Sequence, residues 1–421
     1  MAATRARFYV LWMTFVTAWL TYVDRTSIGA AKPVIMAQLG LNKITMGWSA
    51  SAFNWAYALF QVPGGWMADR YGPRRVLGAA MTTFSAFTAA SGLAFHAVSL
   101  AAARFFFGMG QAVAWPTTSR ALVRWIPLER RAFGQGFQRA GARFGAAVTP
   151  PLVGLLIARL GWQGLFQALG AAGVAWALVW YLYYRDDPGD HSGVNPQELE
   201  ILRAGRSPVL AAERRSVPWG RLLRSRNLCY LSAMYFCYGW VLWMYLSWFP
   251  TYLVEARGFS PGQMGLAASA PLLAASVSNV LGGWLSDLLA RRLNDLRRGR
   301  LAVSLLGFAV AGTALVPGVL VESIAVSLAF LTLALAGLEM TVAVSWAMCV
   351  DIGGDFSGSV SAIMNTAGNI SPALSEVVIG YLATHWGWNW PFLTASGMCL
   401  AAAALATQID PRRPVVEGDR G

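Results

Sequence analysis

Residues 64–75 read GGWMADRYGPRR, and residues 282–292 read GGWLSDLLARR. Both strings run Gly-Gly-Trp-x-x-Asp into arginines, and each closes a long apolar stretch. A second pair repeats in the same order, GLLIARLGW at 154–162 and GYLATHWGW at 380–388. The first pair is offset by 218 residues and the second by 226. Two ordered matches at nearly one offset in a chain of 421 residues mean that the sequence is a duplication.

Composition says what was duplicated. With 56% hydrophobic residues, 13% charged residues and a mean hydropathy of +0.47, the chain suits a bilayer rather than water. A helix needs about 20 mostly apolar residues to cross about 30 Å of hydrocarbon. Twelve such stretches occur, at 8–31, 46–67, 76–96, 99–122, 132–157, 164–184, 228–253, 263–288, 301–320, 324–349, 359–382 and 389–408. They are too long for barrel strands and lack period-2 alternation. Many are rich in Gly and Ala, as closely packed membrane helices are. The expectation is an all-α membrane protein of twelve transmembrane helices in two six-helix bundles, residues 1–185 and 227–421. Residues 186–226 are polar and rich in charge and Pro, which reads as a cytoplasmic linker, partly helical around 196–204. Six helices, a linker and six helices is a plan in which two bundles rock about a substrate site.

The net charge of +13 raises nucleic acid as a partner, but the placement of the basic residues argues for membrane topology instead. Arg5 and Arg7 precede the first stretch, Arg70, Arg74 and Arg75 follow the second, and Arg124, Arg130 and Arg131 follow the fourth. Arg291, Arg292, Arg297, Arg298 and Arg300 follow the eighth, and Arg412, Arg413 and Arg420 the last. The opposite loops carry little more than Lys32, Lys43, Arg159 and Arg257. By the positive-inside rule both termini are cytoplasmic, as an even number of spans requires. The first apolar stretch is too long for a cleavable signal peptide, and no small-residue cleavage site follows it.

Cys229, Cys237, Cys349 and Cys399 all fall in predicted spans and read as small buried hydrophobes. His96, His191 and His385 fall in predicted loops, so an intramembrane metal site or histidine relay has no ligands. No phosphate-cradling glycine loop is present, which argues against transport driven by ATP on this chain. No nucleophile, base and orienting group converge in a recognisable pattern, so no enzyme is expected. A receptor would need a signalling domain, and none is expected in the tail after the last span.

GGWMADRYGPRR resembles the loop motif of the major facilitator superfamily, G-x-x-x-D-R-x-G-R-R, with Pro73 where that family usually has Arg or Lys. The resemblance covers nearly the whole chain. YVDR at 22–25, SWFPTYLVEARGFS at 247–260, GGWLSD at 282–287 and GNISPALSEVVIGYL at 368–382 are similar to the anion:cation symporter family. That family includes bacterial sugar-acid/proton symporters and the animal sialic acid and vesicular glutamate transporters. In the loop motif, Gly64 and Gly65 permit close helix approach, and Asp69 can accept hydrogen bonds from a helix N-terminus. The resemblance implies a cytoplasmic latch made by Asp69, Arg70 and Arg74, with Asp287 as the counterpart in the second half. The plainer alternative is a solvated turn with inside-positive charge.

The residues inside the spans carry the chemistry. Asp24 lies about sixteen residues into its span, roughly 24 Å along a helix. Burying a charge there costs about 2.5–3.5 kcal/mol, so Asp24 and Arg25 need an aqueous cavity or partners. Arg104 sits near the outer end of the fourth span, Arg143 is well inside the fifth, and Arg139 precedes it by one turn on the same face. Arginine cannot shed its proton, so this excess of cations in the first half calls for an anion. A small organic anion fits, because the guanidinium fork suits a carboxylate and Tyr22 stands one turn from Arg25. The alternative is that Arg25 pairs with Asp24 or another buried acid, while Arg104 and Arg139 reach the interfaces.

The resemblance supports Arg25 and Arg104 as anion ligands and implies Tyr57, Ser345, Trp346, Asn365 and Asn369 as further contacts. For the two asparagines, hydrogen bonds between helices are the competing reading. Where the family usually carries a glutamate seven residues after the fourth-span arginine, this chain has Gln111, in GMGQAVAWP at 108–116. An amide binds but does not titrate. The remaining intramembrane acids are Asp24, Glu339 and Glu376, of which Asp24 is the expected proton carrier and Glu339 a candidate for the missing role. Glu376 reads better as a structural partner. The expected function is import of a small organic anion, a sugar acid, an aromatic carboxylate or similar, by alternating access with proton symport. Trp55, Trp115, Trp243 and Trp346 leave room for an aromatic acid. Uniport, exchange or export without a proton is the alternative that Gln111 raises. Beyond the anion, the expected partners are a proton and the lipid of a bacterial inner membrane, with no cofactor, metal or nucleic acid, and a monomer is expected.

Overall fold

The computed structural model describes residues 3–127, 131–204, 219–353 and 356–413; at 62, 69, 131–133, 135, 204, 261, 357 and 358 it describes the backbone only. Every regular element among the described residues is helical. The chain divides into two compact units, residues 1–41 with 48–214 and residues 42–47 with 215–421.

The first unit holds α1 (Ala6–Leu39), α2 (Lys43–Tyr71, whose first residues belong to the second unit), α3 (Pro73–Ser91), α4 (Ala97–Trp125), α5 (Arg131–Tyr183) and α6 (Pro196–Ala204). The fifth and sixth predicted stretches are joined in α5 by a sharp kink rather than a loop. Gly161 makes it at φ 68° and ψ 173°, a conformation that side chains other than glycine rarely adopt. Helix α1 continues through Pro33, which removes one backbone bond without ending the helix, and closes on Gly40 in the left-handed region. Lys32, expected in an outer loop, therefore lies inside α1 and is fully buried.

Small residues bring α5 against α1. A Cβ on Gly145 would stand 2.6 Å from the Trp19 carbonyl oxygen, and one on Gly141 would strike that of Phe15. Backbones this close maximise dispersion contacts where lipid offers no hydrophobic drive between helices. His96 is the N-cap of α4: its Nδ1 accepts the Ser99 N–H at 2.9 Å, and Ser99 Oγ accepts the His96 N–H at 3.2 Å.

The start of the linker folds onto this unit. Trp125 Nε1 donates to the Arg185 carbonyl at 2.9 Å, and Arg124 lies 3.5 Å from the Asp186 carboxylate, which also accepts the Arg74 N–H. Gly72 leaves room for that carboxylate and takes φ 80°. Glu198, fully buried in α6, accepts the first N–H groups of α1, from Ala6 at 3.2 Å and Arg7 at 3.1 Å. A carboxylate there satisfies donors that no residue of α1 reaches and opposes the positive end of the helix.

The second unit holds α7 (Trp219–Arg224), α8 (Arg226–Trp243), α9 (Phe249–Glu255), α10 (Pro261–Arg292), α11 (Leu296–Leu320), α12 (Ile324–Gly353), α13 (Ser357–His385) and α14 (Asn389–Thr407). The predicted stretch 228–253 is one run of helix with a π-turn at Met244–Trp248. Pro250, just beyond, has no N–H for the regular ladder, which accounts for the local widening. His385, expected in a loop, is the last residue of α13. Cys229, expected to be buried, is exposed near the start of α8, where the apolar stretch has only begun. Arg300 ties the ends of three helices, donating to Asp287 at 2.6 Å, Asp351 at 3.0 Å and Ser286 at 3.0 Å. Among the described residues six helices are long and apolar enough to cross a membrane by length and composition.

Candidate functional site

Asp24 and Arg25 are adjacent in α1, yet about 100° of helical rotation separates their side chains. Asp24 is 1% exposed and interacts with the Thr88 hydroxyl of α3 and the Arg104 guanidinium of α4. Arg25 is 7% exposed and turns to the aromatic face of α2. Its guanidinium carbon lies 4.9 Å from the Phe53 ring centre, 4.7 Å from that of Tyr57 and 5.8 Å from that of Tyr22. Tyr57 also hydrogen-bonds Arg25 through its hydroxyl.

Arg104 completes the arrangement. It is 1% exposed, 4.0 Å from the Phe107 ring centre and 5.3 Å from that of Phe53. Phe53 thus offers its ring to both guanidiniums, and each such contact is worth about 0.5–2 kcal/mol when desolvated. The sequence reading missed Phe53, and the signal for it was its spacing four residues before Tyr57, one turn on the same helix face. The cluster places two permanent cations and one carboxylate inside a single bundle.

Gln111 lies two turns along α4 from Arg104 and is 1% exposed. Its Nε2 donates to the Thr21 carbonyl oxygen at 2.7 Å, while its Oε1 has no hydrogen-bond partner among the described residues. The bond tells what the position demands: a donor facing a carbonyl. An amide supplies one permanently, a carboxyl group only while protonated.

Arg139 and Arg143 stand on α5. Gly141 and Gly145 are the α5 residues that face α1, so helical spacing turns Arg139 and Arg143 to the other side, where Arg143 is half-buried and Arg139 exposed.

The second unit holds its own polar cluster. Glu339 in α12 is fully buried; the Tyr238 hydroxyl donates to its Oε1 at 2.7 Å and Asn279 Nδ2 to its Oε2 at 3.1 Å. Tyr235 stacks on Tyr238 with ring centres 4.9 Å apart, and its hydroxyl accepts the Trp346 indole N–H at 3.1 Å. The sequence reading named Glu339 and Trp346 but not the tyrosines or Asn279, which sit on other helices at no readable spacing. Ser345 spends its hydroxyl on the Thr341 carbonyl of its own helix, and Asn369 donates to the Asn365 carbonyl at 2.8 Å, also within one helix. Glu376 is 2% exposed in α13.

Of the expected latch, the Asp69 side chain lies outside the described residues. Arg70 is exposed and covers the Trp66 and Tyr71 rings. Arg74 donates through Nε to the Tyr181 carbonyl at 2.9 Å. Asp287 is held by Arg300, as described above. Among the described residues no three His, Cys, Asp or Glu side chains gather as a metal site would require.

The family model of the Major Facilitator Superfamily matches residues 14–376. A "probable sulfoacetate transporter" of Cupriavidus necator is 37% identical over 404 residues, spanning 96% of this chain and 93% of that protein. A "probable galactarate/D-glucarate transporter" of Escherichia coli is 31% identical, spanning 91% and 88%. A D-galactonate transporter of Escherichia coli is 30% identical, spanning 95% and 94%. A bacterial homologue of the human lysosomal transporter Spinster superposes with a TM-score of 0.82 over 96% of this chain and 97% of that one, at 17% identity, a likeness of fold alone. With a family match over most of its length and relatives of at least 30% identity from end to end, the chain belongs to the Major Facilitator Superfamily.

Proposed function

We propose that this protein imports a small organic anion by alternating access, coupled to protons, across a bacterial inner membrane that it spans twelve times with both termini in the cytoplasm. Membership of the superfamily makes the chain an integral, multi-pass membrane transport protein and not an enzyme. The observation that carries the substrate class is the pair of buried arginines, Arg25 and Arg104, sharing the Phe53 ring beside one carboxylate. A guanidinium keeps its charge at any physiological pH and presents paired donors that match carboxylate or sulfonate oxygens. The relatives' named substrates, sulfoacetate, galactarate, glucarate and galactonate, are all small organic acids.

Asp24 supplies the proton step. Ionised, it attracts Arg104 and competes with substrate; protonated, it releases Arg104 to the incoming anion. Arg25, held among Tyr22, Phe53 and Tyr57, takes the anion from its other side. The two halves then rock, and loss of the proton on the inside restores the hold of Asp24 on Arg104 and expels the substrate. Glu339 is the second buried carboxylate available to a proton, and Gln111 binds without titrating.

The test is thermal stability of the purified protein with sulfoacetate, D-glucarate, D-galactonate, benzoate, glucose and tetraethylammonium, each at about pH 5.5 and about pH 7.5. A ligand at about 100 times its dissociation constant adds roughly 2.7 kcal/mol of apparent stability. Stabilisation by one class of organic acid, stronger at the lower pH after correction for the acid's own ionisation, is expected. Stabilisation only by glucose or tetraethylammonium refutes the anion site, and an anion effect equal at both pH values refutes the proton linkage.

A further inference from the structure

The immediate surroundings of Asp24 contain more than its arginine. Two hydroxyls of α3 stand on the side of Asp24, Ser85 and, one turn later, Thr88. Thr88 hydrogen-bonds Asp24, and its Oγ also lies 3.0 Å from the Phe84 carbonyl oxygen. A hydroxyl has one proton to give and two lone pairs to offer. With that proton on the Phe84 carbonyl, the contact to Asp24 needs its proton from the acid, so the arrangement suits a protonated Asp24.

Ser85 is differently placed. It is fully buried, and its Oγ has no hydrogen-bond partner among the described residues; the same is true of Asp24 Oδ2. Both atoms border the space over Gly173 of α5, where a Cβ would overlap Ser85 Oγ and lie 3.9 Å from Asp24 Oδ2. Ser85 therefore holds an O–H that no described residue accepts, across the space over Gly173 from the bare carboxyl oxygen, and a glycine at 173 leaves it room to turn. The charged group that faces Asp24 is Arg104 from α4; α3 contributes the two hydroxyls, α5 contributes Gly173, and Arg25 follows on α1 itself.

We propose that Thr88 and Ser85 are positioning residues for the transported proton, Thr88 accepting from Asp24 when it is protonated and Ser85 donating to Asp24 Oδ2 when it is ionised, with Gly173 as the clearance for that exchange. The proton enters and leaves as H⁺, and no other bond forms or breaks. The device lets a carboxyl group change charge in a dry bundle without stranding a polar atom in either state, which would otherwise oppose one of the two. This inference rests on Asp24 as the proton carrier.

Opposite roles give opposite signs, which mere damage to packing does not produce. The experiment is infrared difference spectroscopy of the full-length protein in lipid, titrated with pH, following the carbonyl stretch of the protonated carboxyl; Asp24→Asn assigns the band by removing it. Thr88→Val is expected to lower the midpoint of that band by about half to one pH unit, a three- to tenfold loss of proton affinity. Thr88→Ser restores it. Ser85→Ala and, independently, Gly173→Ala are expected to raise the midpoint by a similar amount. Midpoints unchanged in Thr88→Val and in both of the others, or shifted the same way in all three, overturn the roles of the hydroxyls while leaving Asp24 as the carrier. A wild-type spectrum with no band that Asp24→Asn removes overturns the carrier itself, and the hydroxyl roles with it.

Discussion

Replacing Gln111 with glutamate tests how α4 is fastened to α1. The wild-type amide is 1% exposed and donates to the Thr21 carbonyl at 2.7 Å. Gln111→Glu keeps size and shape but keeps the donor only while the new carboxyl group is protonated. Ionisation turns the contact into two oxygens facing each other and leaves the Thr21 carbonyl without that bond, at a cost of about 1–3 kcal/mol before any charge repulsion. One pH unit is worth 1.36 kcal/mol, so the contact resists ionisation over about one to two units. The variant should therefore match wild type only below about pH 4, where the unfolded chain also holds the proton, and fall below it by about 1–3 kcal/mol as pH rises towards about 8, because the proton-bound form is the one that fits. The assay is thermal unfolding in detergent across that range, with Gln111→Met as the control that removes the bond at every pH. A Gln111→Glu curve parallel to wild type, with Gln111→Met equally stable, refutes the claim that Thr21 needs a donor.

Three further outcomes follow from the geometry. Arg25→Lys preserves charge but loses the planar fork and the contacts to Phe53 and Tyr57 at 4.9 and 4.7 Å, so binding of the stabilising organic acid should weaken by about tenfold or more in a thermal titration. Glu198→Gln removes the charge that caps α1 and should cost about 1 kcal/mol of stability, read as a lower unfolding temperature at neutral pH. His191 lies in the linker beneath Trp125 and Tyr183, and burial first, then the Arg185 charge, lowers its pKa below the ordinary value of 6.5. The neutral ring fits the fold, with Nδ1 accepting the Gly193 N–H at 3.0 Å, so stability is full above pH 6.5 and is lost as pH falls through the lowered value. His191→Gln should remove that component of the acid limb of the unfolding profile.

What the sequence disclosed and what it withheld have physical causes. The helices were legible because a bilayer enforces length and apolarity residue by residue, and the duplication was legible because Gly-Gly-Trp-x-x-Asp is rare enough to stand out twice. Lys32 was misjudged because a charged residue before Pro33 reads as a loop in water-soluble logic, whereas a membrane helix can continue past a proline. Asp24, Arg25 and Arg104 announced themselves by being charged where charge is costly. Phe53, Ser85, Thr88 and Gly173 did not, since an aromatic ring, two hydroxyls and a glycine are ordinary in any membrane helix and gain meaning only from what stands opposite them. Asn369 shows what spacing leaves out: one of its amide hydrogens is given to the Asn365 carbonyl of its own helix, a bond that the four-residue interval does not announce.

In the proposed mechanism, the adjacency of Asp24 and Arg25 gives the proton and the anion a common lever. One rigid turn of α1 carries the carboxylate towards α3 and α4 and the guanidinium towards α2, so neither can change its contacts without loading the same backbone. Arg104 closes the circuit, because it faces Asp24 with its charge and Phe53 with its guanidinium plane, and Phe53 is also a neighbour of Arg25. In the proposed mechanism, a proton on Asp24 frees Arg104, and an anion that draws both arginines together strains α1 from its opposite side. Separating the two residues would break the lever while keeping both charges. Exchanging them, as Asp24→Arg with Arg25→Asp, leaves composition and net charge unaltered but presents the acid to the Phe53 and Tyr57 rings and removes the cation–ring contacts that Arg25 makes there. The exchanged protein should lose stabilisation by every organic acid that protects wild type, and retention of even a tenth of the wild-type affinity would mean that the two charges act independently of their places on α1.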